Sequence, residues 1–248
     1  MLAMEVAPRS KARPTQRIPL ISSTSGYNQN KVAAEFLREL PRMSTSINEA
    51  PETRMVLENV SWETFVALAD ERRGSIPRMT YSDGILEMMS PKRKHEHLGR
   101  LIGRMIETYS EIRGIEILSV ASVTVKRGDL KKCYEADGSY YITNLNQVLT
   151  KEELDFEVDP APDLVVEVEL TSSAIDKLEL FADMEVREVW RHDGKLVQFH
   201  RLQKGRYKPI STSIELPGVA ADLINRFLEQ RLNTGETTFI RAFRDEIQ

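Results

Sequence analysis

Asp163-Leu164-Val165-Val166-Glu167-Val168-Glu169-Leu170 is the stretch that decides how this sequence folds. Its valines and leucines make the most hydrophobic strand pattern in the chain, which suits a central position in a sheet. Side chains alternate across a strand, so Leu164, Val166, Val168 and Leu170 face one way and Asp163, Val165, Glu167 and Glu169 the other. A central strand buries carboxylates at high cost unless something answers their charge. Glu167 and Glu169 therefore call for a metal ion, a lysine or solvent on their side.

Downstream, Ser172 or Ser173 is placed to cap a helix through about Met184. Glu188–His192 and Leu196–Leu202 read as a hairpin turned by Asp193-Gly194, and Leu223–Leu232 as a late helix. Upstream, Asp137–Ile142 reads as a strand opened by Glu135-Ala136-Asp137, and Thr143–Pro162 as a loop with a short helical turn. Ile115–Val120 and Ser122–Lys126 are further strands. Leu98, Ile102, Met105, Ile106 and Tyr109 recur at helical spacing and predict a long helix over about Lys94–Arg113, stopped by Gly114. Arg78–Tyr81 and Ile85–Met89 flank a Ser82-Asp83-Gly84 turn, and Ser61 is an N-cap for a helix through Trp62 and Phe65. This order is α/β around a mixed sheet, without the regular strand–helix alternation of a dinucleotide fold. No Gly-rich phosphate loop, G-x-S-x-G elbow or H-E-x-x-H motif occurs.

The folded domain is expected over residues 55–232. Residues 1–50, with Pro8, Pro14 and Pro19 and a Ser/Thr/Asn-rich run, read as a poorly ordered extension holding one short amphipathic helix at Lys31–Leu40. Residues 233–248 read as a C-terminal tail. Net charge is −4 over 248 residues. The first 50 hold seven basic and four acidic residues, so they carry +3 and the remainder −7. That balance argues against broad nucleic-acid binding by charge alone, yet it allows an acidic metal site beside local basic clusters at Lys92–Lys94, Lys126-Arg127 and Lys131-Lys132. Cys133 is the one cysteine, which rules out an internal disulfide and suits a reducing cytoplasm. No apolar run approaches a membrane span of about 20 residues, so no membrane association is expected.

The carboxylates suggest the chemistry. Magnesium accepts hard oxygen ligands and needs only one or two protein carboxylates. Asp137 and Glu167 on adjacent strands could supply them, with Glu169 as a possible addition. Lys177, ten residues past Glu167, could bring an ammonium to the same place; an exposed lysine at a helix start is the plainer reading. His95 and His97 stand at i, i+2 and cannot share a helix face, so a zinc pair is not expected. His95 keeps to the edge of the Leu98–Ile102–Ile106 row and could lie near the carboxylates. Glu96 and Glu107 are alternative acids on that helix.

The ordered set Asp83-Gly84-Ile85-Leu86-Glu87, Met89-Ser90-Pro91, His95, Lys126-Arg127-Gly128-Asp129-Leu130, Glu135-Ala136-Asp137, Pro162–Val168, Thr171-Ser172-Ser173, Lys177-Leu178 and Val186–Trp190 resembles the Uma family. That family is a branch of the PD-(D/E)XK restriction-endonuclease-like superfamily. The similarity covers roughly residues 55–230. It implies a sheet flanked by helices and a Mg²⁺- or Mn²⁺-dependent nuclease acting on DNA, with homodimerisation a possibility. On this resemblance Asp137 stands for the Asp of the Pro-Asp element, with Ala136 in place of Pro. Glu167 stands for the acid of the (D/E)-x-K element. Glu169 occupies that element's lysine position, and Lys177 from the next helix is the matching substitute. His95 matches a histidine typical of the family's first core helix. A nuclease fold kept as a non-catalytic binding or assembly module is the alternative, favoured by the acidic charge and by Glu169. Hydrolysis of a small phosphoester is a third reading.

Overall fold

A computed structural model describes residues 52–248 apart from 73 and 75. The expected extension over 1–50 and its helix at Lys31–Leu40 lie outside the described residues.

Eleven strands form two sheets among the described residues. β1 (Glu52–Leu57), β2 (Arg78–Ser82), β3 (Ile85–Pro91), β5 (Thr124–Arg127) and β6 (Lys132–Glu135) form an antiparallel sheet in the order β1-β3-β2-β6-β5. The second sheet runs β11-β10-β9-β8-β7-β4. Its strands are β4 (Leu118–Ser119), β7 (Gly138–Tyr141), β8 (Leu164–Val168), β9 (Glu188–His192), β10 (Val197–Gln203) and β11 (Arg206–Ile210). Only β8 and β9 pair in parallel, as the helical crossover between them requires. The fold is thus the expected α/β class with a mixed sheet, to which the structure adds a separate antiparallel sheet.

The deciding stretch becomes β8, between β7 and β9 and buried along its whole length. Its alternation holds. Leu164, Val166 and Val168 join the core beneath helix α2 (Arg93–Arg113), while Val165 faces the opposite cluster with Phe181 and Val189. Helix α2 buries Leu98, Leu101, Ile102, Met105, Ile106 and Tyr109 on that core. It ends at Gly114 with φ 63°, a left-handed turn that glycine adopts without strain. Helix α1 (Trp62–Glu71) is capped by Ser61, whose hydroxyl accepts from the Thr64 N–H at 3.1 Å. The short α3 (Leu145–Val148) occupies the expected turn.

Several elements differ from expectation, among them β11, which extends the second sheet beyond β10 without a counterpart in the expected strands. β1 was not anticipated, because Glu52-Thr53-Arg54 breaks any apolar alternation. The Glu135–Ile142 strand is divided: β6 belongs to one sheet and β7 to the other, with a bend at Asp137 between them. Helix α4 (Lys177–Asp183) starts later than Ser172 or Ser173. Its cap is Asp176, which accepts from the Leu178 and Glu179 N–H groups, whereas the Ser173 hydroxyl is drawn to the buried Glu87. Residues 233–248, expected as a tail, contain helix α6 (Glu236–Ile247) beside α5 (Ala221–Glu229). Phe239, Ile240, Phe243 and Ile247 recur at helical spacing and fill the main core, so this segment is held by apolar burial. Among the described residues no helix is long and apolar enough to cross a membrane.

Candidate active site

The bend between β6 and β7 presents Asp137 towards the first turns of α2. The approach is close because position 99 is glycine: a Cβ there would lie 3.3 Å from the Asp137 Cβ. Asp137 is then held from several sides. The Val168 N–H donates to Oδ2 at 2.6 Å, His95 Nε2 lies 2.7 Å from Oδ1, and the Arg78 guanidinium also donates to Oδ1. The Asp137 side chain is only 3 % exposed, so each of these partners offsets a desolvated charge. An open cleft of about 230 Å³ borders it, walled by Arg78, Glu96, Arg100, Arg104 and Tyr140 among others.

Glu167 leaves the opposite face of β8, as the alternation predicts, and is buried. Lys177 answers it: Nζ lies 3.4 Å from Glu167 Oε1 and donates to the Thr80 hydroxyl at 2.7 Å. The exposed lysine of the plainer reading is thus a buried one, 7 % accessible. Its aliphatic stem lies in the protein while the ammonium meets a carboxylate, which is how a buried lysine stays affordable.

Glu169 behaves differently. It lies just past the end of β8 and pairs with Arg191, 2.8 Å away, while accepting from the Ser173 N–H. It lines a second cleft with Lys177 and Ser173. Its charge is answered by an arginine on β9, so it serves the rim. Glu96 is also a rim residue, half-exposed and paired with Arg78 at 2.9 Å. His97 sits 3.5 Å from Glu236 and does not join His95.

Several contributors escaped the sequence reading. Glu52 and Glu87 are both buried. Arg54 bridges them, donating to Glu52 at 2.8 Å and to Glu87, and it donates to the Thr171 hydroxyl at 2.9 Å. Glu52 Oε1 lies 2.6 Å from His95 Nδ1 and accepts from the Leu170 N–H at 3.1 Å. Burial pushes the Glu52 carboxyl up, but the hydrogen bonds from His95 and Thr171, the Arg54 charge and the Leu170 N–H outweigh it and hold the group down at about 2. For Glu87 a signal was available, since it is an acid between Leu86 and Met88 on an apolar strand, as Glu167 is on β8. For Glu52 and Arg54 there was none.

Among the described residues no group of three or more His, Cys, Asp or Glu side chains is arranged to cage a metal ion. Asp137, Glu167 and Glu169 are therefore not a three-acid set. Asp137 and Glu167 do offer buried hard oxygens. Carboxylate oxygens are the kind of ligand Mg²⁺ takes, and each of the two acids is here met by a cation, Asp137 by Arg78 and Glu167 by Lys177.

A family model described as "Putative restriction endonuclease", Uma2, matches residues 62–230. A solved structure described as "a putative nuclease belonging to DUF820 from Anabaena variabilis" matches with a TM-score of 0.46 and 15 % identity, over 67 % of this chain and 98 % of that one. No curated protein matches.

Proposed function

The chain belongs to the Uma2 restriction-endonuclease family, and from that premise we propose that it is a Mg²⁺- or Mn²⁺-dependent endonuclease that hydrolyses phosphodiester bonds of DNA. The observation that carries the reading is Lys177. The sequence places a glutamate where the (D/E)-x-K lysine is expected, yet a lysine from the next helix lies 3.4 Å from Glu167.

Asp137 and Glu167 would hold the ion, which when bound polarises the phosphodiester and lowers the pKa of a water. The chain's own groups do the rest. The Lys177 ammonium faces the negative charge that develops on the phosphoryl oxygens and is fixed in place by Thr80. His95 and the Val168 N–H orient Asp137 before substrate arrives. Arg78, with Arg100 and Arg104 along the same cleft, supplies cations for flanking phosphates.

The test is incubation of plasmid DNA with the protein and Mg²⁺ or Mn²⁺, alongside Asp137→Ala. Cleavage by the wild type alone is expected. Equal cleavage by both proteins, or by neither, sinks the proposal. A second reading, a nuclease fold retained as a binding module, has one observation in its favour: Arg78 and Lys177 already neutralise Asp137 and Glu167. It predicts no heat of Mn²⁺ binding that depends on Asp137. Homodimerisation is also proposed, as two copies of the site would serve the two strands of a duplex together; sedimentation that returns a monomer would reject it.

A further inference from the structure

We infer that Glu52, on a strand outside the segment that matches the family, is a positioning residue of this site: through His95 it sets the orientation of Asp137. The inference rests on the proposed nuclease site and adds a residue to it. β1 begins ten residues before the matched segment, which starts at residue 62. Among the described residues it is an edge strand, paired only with β3. Its outer half is exposed, with Met55, Val56 and Leu57 all partly or largely in solvent. Its first residue is the opposite: the Glu52 side chain has no exposure at all. An acid is buried there only if its hydrogen bonds are complete.

The bonds divide between two tasks. Oε2 takes Arg54 and the Thr171 hydroxyl, which ties β1 to the loop after β8. Oε1 takes the Leu170 N–H and faces His95 Nδ1 at 2.6 Å. The imidazole is fully buried, and its other nitrogen lies 2.7 Å from Asp137. An imidazole is rigid, so pinning Nδ1 fixes where Nε2 points. Glu52–His95–Asp137 is therefore a linear relay whose far end is the candidate ligand. A bland role is available, since Arg54 and Glu52 could simply anchor the strand. That role uses Oε2 and leaves the bond to His95 unexplained.

The experiment uses the full chain as Glu52→Ala, Arg54→Ala and wild type, with two readouts. The first is the two His95 ring ¹⁵N resonances in metal-free protein, assigned by their loss in His95→Gln. Positioning predicts that Glu52→Ala shifts or broadens the Nε2 resonance while Arg54→Ala leaves it in place. An Nε2 resonance unmoved in Glu52→Ala, or moved equally in both variants, overturns the inference. The second readout is Mn²⁺ affinity by calorimetry, where Glu52→Ala should weaken binding by about 10-fold, the lower end for direct partners of metal ligands, because Glu52 acts one residue further out through His95. Unchanged affinity also overturns it. If wild type binds no Mn²⁺, the metal reading fails while the ring resonances still decide the role of Glu52. If Glu52→Ala does not fold, Glu52→Gln replaces it, and the Nε2 resonance must then move with the weaker neutral acceptor on Nδ1.

Discussion

Acid should unlock this protein at Glu52, by an amount the site itself sets. The folded carboxyl is held at about 2 against an ordinary 4.5. At ~1.4 kcal/mol per pKa unit the displacement corresponds to ~3 kcal/mol of stability. A carboxyl depressed in the folded state contributes in full above its unfolded pKa. The contribution fades as pH falls, because the unfolded chain then binds the proton first. Linkage places ~2 kcal/mol of the loss between pH 5 and pH 3, and the remainder below. Glu52→Gln cannot titrate, which makes it the reference. Urea unfolding of both proteins at half-unit steps from pH 5 to pH 3 should show the wild-type advantage shrinking by ~2 kcal/mol. A difference that stays constant across the window would refute the assignment of a buried, multiply bonded carboxylate to Glu52. A difference that grows would do so more strongly.

Three further outcomes are expected. Phe243→Ala should cost ~3–5 kcal/mol in urea unfolding, because Phe243 is fully buried and packs edge-on to Phe227 at 5.2 Å; a cost under ~1 kcal/mol, typical of exposed positions, would return residues 233–248 to the status of a tail. Gly99→Ala should gain less thermal stability than the up to ~1 kcal/mol by which alanine favours helix, since its methyl presses on the pinned Asp137. It should also weaken Mn²⁺ binding, because the new methyl crowds Asp137 at 3.3 Å; wild-type affinity in calorimetry would contradict the close approach. Lys177→Met keeps volume but removes the ammonium from Glu167, so Mn²⁺ should bind at least as tightly while plasmid cleavage falls by about a hundredfold or more, the scale set by losing one charge-stabilising group; full cleavage by this variant would remove Lys177 from the mechanism.

The alternation in Asp163–Leu170 determined the centre of the fold. A strand of valines and leucines buries both faces wherever it sits, and the period of two then sends Glu167 to the face opposite α2. The spacing of Leu98 through Tyr109 likewise determined the long helix and put His95 on its core edge. Both are local periodicities, and local periodicity is what a chain can state by itself. Asp137 and Lys177 were legible as types and positions through family resemblance, but their state was not. Whether Lys177 is solvated or set against Glu167 depends on the crossover from β8 through α4 and on Thr80 from the other sheet. The role of Glu169 was decided by Arg191, which lies on the neighbouring strand. Residues 233–248 have a clear apolar period, yet only the packing of α6 beside α5 makes it a core. Glu52 marks the limit: it is 43 residues from His95 in sequence and 2.6 Å from it in space. Electrostatic partners separated that far leave no pattern in the chain, because the Coulomb and hydrogen-bond terms that bury a charge depend on distances that folding alone creates.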